Sequence, residues 1–176
     1  RENLIVTQKL ALIGFGTVGR GLVEILCEKR NLLRDEFGYE SRVVAVTDLH
    51  HGSCYDPGGL DLDRVLALVA QEGGEPGSLS RYSDQVCDWD SLQTIRNSSA
   101  DTVVEVTVTN IETGEPALSH CREAFEAGAH VVTTNNSIQA AIDASSTGDT
   151  VIIWEGVYEE DLVINGKALS LRPLND

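Results

Sequence analysis

Residues 9–26 read KLALIGFGTVGRGLVEIL, and this stretch decides the fold. Residues 9–14 (KLALIG) are an apolar run without polar alternation, the pattern of a strand covered on both faces in a parallel sheet. From Thr17 to about Glu36 the periodicity turns helical. Val18, Leu22, Ile25, Leu26, Leu32 and Leu33 share one broad face, with Arg20, Glu24, Glu28 and Arg34 off it. A second strand is expected at Arg42–Thr47 (RVVAVT), ending in Asp48. Strand, helix, strand in this order is a βαβ unit with a parallel crossover.

The alternation continues downstream. Residues 50–60 (HHGSCYDPGGL) are rich in Gly, Pro, Asp and Ser and read as a loop. His50 and His51 lie in it and read as solvated loop residues. A short amphipathic helix is expected at Leu62–Gln71, a loop at Glu72–Ser80 and a helix at Ser91–Asn97. Then come a strand at Thr102–Thr107 (TVVEVT), a helix at Glu115–Ala127 stopped by Gly128, and a strand at His130–Thr134. Strands and helices in turn predict an α/β fold, a doubly wound parallel sheet of Rossmann type.

Near Asn136 the grammar changes. Ser137 is placed to cap a helix over Ile138–Ala144. Three short strands follow without helices between them, at Asp149–Trp154, Glu160–Ile164 and Ala168–Leu171. The expected organisation is a dinucleotide-binding domain over 1–136 and a short helix plus β-strand segment over 137–176, too small to fold alone.

Composition narrows the function. The 176 residues carry 28 Asp and Glu against 13 Lys and Arg, a net charge of -15. An acid excess argues against nucleic acid, where affinity comes from cations neutralising phosphates. It argues equally against an anionic membrane surface. No apolar run approaches the roughly 20 residues that span a bilayer, and RENLIVTQKL lacks the order of a signal peptide. Cys27, Cys54, Cys87 and Cys121 are widely spaced with no CxxC, so free thiols in a reducing cytoplasm are expected rather than disulfides or zinc.

The chemistry lies in Gly14, Gly16 and Gly19, a GxGxxG between strand and helix. The first glycine permits the tight turn, the second lets backbone approach a pyrophosphate, and the third lets helix pack against strand. The N–H groups of the first helical turn then face the phosphates. A glycine-rich turn without a ligand is the competing reading. Asp48, at the end of the second strand, is the expected acceptor for the adenosine ribose hydroxyls, although its distance from Gly19 exceeds the usual twenty or so residues. The competing reading makes Asp48 the start of a loop. No Lys or Arg follows it, so NAD is favoured over NADP.

These blocks together resemble the cofactor-binding domain of homoserine dehydrogenase. They are KLALIGFGTVGRGLVEIL, then VVAVTD, then VVEVTVTNIETGEPALSHCREAFEAGAHVVTTN, and the resemblance covers residues 8 to 135. That family reduces aspartate semialdehyde to homoserine with NAD(P)H, on the route to threonine and methionine. The resemblance implies that Phe15, Thr17 and Val18 lie in the pyrophosphate turn. It also implies that Thr107, Thr109 and Asn110 approach the nicotinamide ribose, and that Asn135 is a further cofactor-binding residue. Strand-end and capping hydrogen bonds are the alternative role for the threonines.

Two departures from the family stand out. The lysine expected after the strand HVVTTN is Asn136 here, and an amide supplies no cation. No segment resembling the family's substrate and dimerisation domain follows, so cofactor binding with little turnover is expected and no catalytic residue is assigned. Residues 137–172 instead resemble the opening of a right-handed parallel β-helix, as in pectate-lyase-like proteins. One coil is too little for a stable solenoid, which needs about three. Its acids Asp143, Asp149, Glu159, Glu160 and Asp161 read as solvated turn charges. A non-catalytic module, or a truncated fusion self-associating through these strands as a homo-oligomer, is the rival function.

Overall fold

A computed structural model describes residues 5–70, 75–83, 87–110, 112–133, 142–143, 145, 147–148, 150–153, 163–166 and 168–173. Among these residues the elements are β1 (Val6–Ile13), α1 (Thr17–Glu28), α2 (Arg30–Phe37), β2 (Tyr39–Asp48), β3 (Gly52–Tyr55), α3 (Leu62–Ala70), α4 (Ser91–Asn97), β4 (Thr102–Glu105), α5 (Ala117–Glu126), β5 (His130–Thr133), β6 (Thr150–Ile153) and β7 (Ser170–Pro173), with a 3₁₀ turn at Ser78–Arg81.

Five strands form one sheet in the order β3-β2-β1-β4-β5. β1 pairs in parallel with β2 and with β4, and β4 with β5. The chain therefore leaves β1 to one side and later returns to its other side, which is the doubly wound topology expected. Alternation along β1 serves two cores. Leu10 and Leu12 join Val23, Leu26, Val65 and Val69 of α1 and α3 on one face. Ile13 joins Ile95 and Ala124 of α4 and α5 on the other. Capping fixes where the helices start. Asp90 and Gln93 exchange hydrogen bonds at the start of α4, with Gln93 N–H donating to Asp90 Oδ1 at 2.7 Å.

The structure corrects four local expectations. The helix expected over 17–36 is two helices, because the backbone leaves helical geometry at Lys29. Gly38, with a left-handed φ of 62°, closes α2 before β2. The loop expected at 50–60 contains β3, which adds an antiparallel edge to β2. Its composition concealed a hairpin in which Ser53 and Cys54 are buried and Tyr55 meets the Trp89 ring at 4.8 Å. Within the loop expected at 72–80, Ser78 and Leu79 are buried in the 3₁₀ turn. His51, expected in solvent, is half-buried, and its Nδ1 lies 3.1 Å from Ser78 Oγ.

In the last 40 residues β6 and β7 form a separate parallel pair, with Thr150 opposite Ser170 and Ile153 opposite Pro173. β7 begins two residues later than expected. Val163 and Ile164 are exposed and not in a strand, contrary to the strand expected there, whose remaining residues lie outside those described. Of the helix expected at 138–144, Ile142 and Asp143 are helical and the other residues, like Ser137, lie outside those described.

All four cysteines are free thiols. Among the described residues no helix is long and apolar enough to cross a membrane.

Leu12 is fully buried in the central strand. Leu12→Ala is expected to lower unfolding stability by about 2–5 kcal/mol, measured by urea denaturation. A loss below about 1 kcal/mol would show that β1 does not occupy the core.

Candidate dinucleotide site

The glycine motif lies where the strand ends of β1, β2 and β4 meet. Gly14 has φ +98°, a left-handed conformation that favours glycine. A Cβ there would lie 2.9 Å from the Val106 carbonyl carbon and oxygen and 3.0 Å from Thr107 N. Gly14 N–H donates to Thr47 O at 2.8 Å and Val106 N–H to Ile13 O at 2.9 Å. The turn is thus wedged between β2 and the exit of β4. Gly19 packs as closely, since its Cβ would meet Gly14 O at 2.5 Å.

Gly16 differs. Its φ is -77°, and a Cβ on it meets nothing within 4 Å. It is the N-cap residue of α1, and no side-chain hydrogen bond caps the helix there. Thr17 and Val18 follow it, both exposed. The Phe15 side chain is fully buried, so only its backbone belongs to the turn surface.

Asp48 closes the turn from β2. Its Oδ2 accepts the Phe15 N–H at 2.9 Å, and its Oδ1 accepts the N–H groups of His50 and His51 at 2.9 and 3.0 Å. Burial alone would raise this carboxyl, but these three backbone donors and the nearby His51 ring hold it below its ordinary value. Burial lowers His51, Asp48 opposes that shift, and the charges of His50 and Arg20 add to it.

Thr107 adjoins Gly14 at the exit of β4. Thr109 is half-buried two residues further along the same loop. The Asn110 side-chain oxygen accepts the N–H of Glu112 at 2.8 Å and of Thr113 at 3.2 Å, so it braces the loop before α5. Asn135 and Asn136 lie outside the described residues.

Sequence reasoning missed Glu105, the last residue of β4, which is 1% exposed. Its Oε1 accepts both the backbone N–H (3.1 Å) and the hydroxyl of Thr107, and its Oε2 accepts the Thr133 hydroxyl at 3.1 Å. His120 of α5 places Nδ1 3.4 Å from Oε1 and Nε2 2.8 Å from Ser91 Oγ. Burial pushes Glu105 up, yet the bonds from His120 and Thr107 hold it below the usual carboxylate value. The signal available was an acid placed inside the apolar strand TVVEVT.

A cavity of about 720 Å³ lies elsewhere, against Arg96, Asp101, Glu123 and Gly128 at the far ends of α4 and α5. It shares no residue with the glycine turn. Among the described residues no group of three His, Cys, Asp or Glu could hold a metal.

Since folding lowers the Asp48 pKa, its contribution to stability is complete above its ordinary value of 3.8 and lost as pH falls through the lower folded value. Asp48→Asn is expected to cost about 1–2 kcal/mol at pH 7, with the gap to the parent closing below pH 3.8. Urea melts across pH check this. A gap unchanged between pH 7 and pH 3 would contradict the charged role.

Known proteins similar to this chain share its fold. Over 127 residues the chain is 39% identical to the NAD(+)-dependent homoserine dehydrogenase of Pseudomonas canavaninivorans, covering 72% of this chain and 35% of that protein. Over 126 residues it is 37% identical to the homoserine dehydrogenase of Methanocaldococcus jannaschii, covering 72% of this chain and 36% of the relative. A hyperthermophilic archaeal homoserine dehydrogenase mutant in complex with NADPH superposes with a TM-score of 0.59 at 26% identity, covering 79% of this chain and 42% of that one. No family model matches. The chain spans about a third of the length of the curated relatives it matches. Over about 72% of its length this chain is homologous to homoserine dehydrogenases, and its mostly parallel five-stranded sheet is the Rossmann-type fold of those neighbours.

Proposed function

We propose that residues 1–136 bind a nicotinamide dinucleotide, as the cofactor domain of an oxidoreductase interconverting aspartate semialdehyde and homoserine. In this reading the turn Gly14, Phe15, Gly16, Thr17, Val18 and Gly19 holds the pyrophosphate. Asp48 takes the adenosine ribose, Thr107, Thr109 and Asn110 border the nicotinamide ribose, and Asn135 is a further cofactor-binding residue. Open α/β sheets bind ligands at the carboxyl ends of strands where the winding reverses, here between β1 and β4.

The observation that carries the reading is the contrast among the glycines. Gly14 and Gly19 are required by the fold, because a Cβ would strike backbone. Gly16 is not: its φ is negative and its Cβ would point into open space. A ligand that must approach the backbone there explains the residue. The bound cofactor supplies the hydride chemistry; the chain binds and orients it. NAD is preferred because a 2′-phosphate would meet the Asp48 carboxylate, although Arg20, His50 and His51 stand nearby. Asn136 supplies no cation, so this reading assigns the polypeptide cofactor binding and no catalytic residue. Free thiols fit a cytoplasmic enzyme of biosynthesis for threonine and methionine.

Cofactor at a hundredfold over its Kd is expected to stabilise the chain by about 2.7 kcal/mol, read as a rise in Tm. Gly16→Val, a poorer N-cap residue, is expected to lower the unliganded Tm by less than Gly14→Ala does and to lose most of that rise. Gly14→Ala is expected to lower the Tm itself. A flat response of the parent to both NADH and NADPH overturns the reading, and a larger response to NADPH overturns the NAD preference alone.

A second reading concerns the C-terminal segment, for which Thr150 pairing in parallel with Ser170 is the supporting observation. The interval matches the roughly 20–45 residues of a solenoid repeat, as expected of a first β-helix coil. Among the described residues β6 and β7 pair only with each other, and open strand edges recruit other strands. The segment is therefore read as a self-association element forming homo-oligomers. Sedimentation velocity on the 176-residue chain should show concentration-dependent association that deletion of residues 137–176 abolishes. Unchanged sedimentation after the deletion rules this out.

A further inference from the structure

We propose that Glu105 is a positioning residue of the nicotinamide side, fixing the Thr107 hydroxyl as a hydrogen-bond acceptor so that this subsite takes a ligand O–H or N–H donor. The proposal rests on the dinucleotide reading above. Glu105 is 1% exposed and lies beyond direct reach of a ligand, so it acts through Thr107. A carboxylate only accepts hydrogen bonds. The Thr107 hydroxyl bonded to Glu105 Oε1 must therefore give its proton inward. What remains on that oxygen are lone pairs, which can only accept.

The same carboxyl oxygen takes the Thr107 backbone N–H at 3.1 Å, so the carboxylate fixes both the main chain and the side chain of this residue. Thr107 N is also an atom that a Cβ on Gly14 would strike, at 3.0 Å. The oriented hydroxyl thus belongs to a residue in contact with the phosphate turn, on the β4 side, opposite Asp48. A dinucleotide whose adenosine ribose sits at Asp48 extends its second ribose and carboxamide toward β4. Both groups carry donors that Thr107 can receive. His120, bonded to Ser91 and to Glu105, and Thr133, bonded to the other carboxyl oxygen, hold the acid in place. An acid buried in a strand costs desolvation, which an apolar residue would avoid. An orienting role accounts for its presence.

The test compares NADH with ADP, which carries the adenosine and diphosphate but no nicotinamide half. Binding is measured by calorimetric titration on the parent, E105Q, T107V and the double variant. E105Q is expected to weaken NADH on the order of tenfold, the worth of one hydrogen bond, while ADP affinity holds. T107V, half-exposed and less dependent on the buried acid, should show the same split. The double variant should be no weaker than either single one, since both remove one interaction. If E105Q fails to fold, T107V carries the comparison. Equal losses for NADH and ADP, or no loss for NADH, overturn the positioning role while leaving dinucleotide binding intact. A parent that binds neither ligand overturns both.

Discussion

Three strand ends are held together where backbone passes closer to backbone than a Cβ permits. Gly14 turns against Val106 and Thr107 with φ +98°, and its N–H reaches back to β2 through Thr47 O. Asp48 then draws the next N–H, that of Phe15, onto the end of β2. The remainder of the carboxyl edge follows from this knot. α1 starts at the right place because Gly19 can lie against Gly14 O. β4 leaves the sheet beside the turn because Val106 is bonded to Ile13. Without the wedge, the start of α1 and the Asp48 carboxylate would not share one surface.

The two buried or half-buried acids at this edge work in complementary ways. Asp48 receives main-chain donors and shapes the turn. Glu105 receives the main-chain and hydroxyl donors of Thr107, just past β4, together with Thr133 of β5 and His120 of α5. Both are held ionised by their partners against the cost of burial. In a chain with 28 acids, these two are set apart by their donors rather than by their number.

Much of the domain was legible in the residues. The apolar run 9–14, the glycine spacing and Asp48 at a strand end each depend on local identity, and each lies where expected. Other features depend on partners distant in the chain. The break at Lys29 was not legible because the amphipathic pattern runs through it. β3 was hidden because Gly52–Tyr55 becomes a strand only by pairing with β2. Glu105 reads as an ordinary polar residue until His120, from a later helix, arrives beside it. Asn110 was placed in the right loop, yet its side-chain oxygen is engaged within that loop.

The proposed dinucleotide lies across the ends of β2, β1 and β4 over the glycine turn. An amide-resolved NMR titration of the chain with NAD tests it most directly. Saturable shifts concentrated at Gly14–Gly19, Asp48 and Thr107 are expected, with Arg96 and Glu123 unmoved. Shifts gathered at the Arg96–Glu123 cavity, or none at the glycine turn, would contradict it.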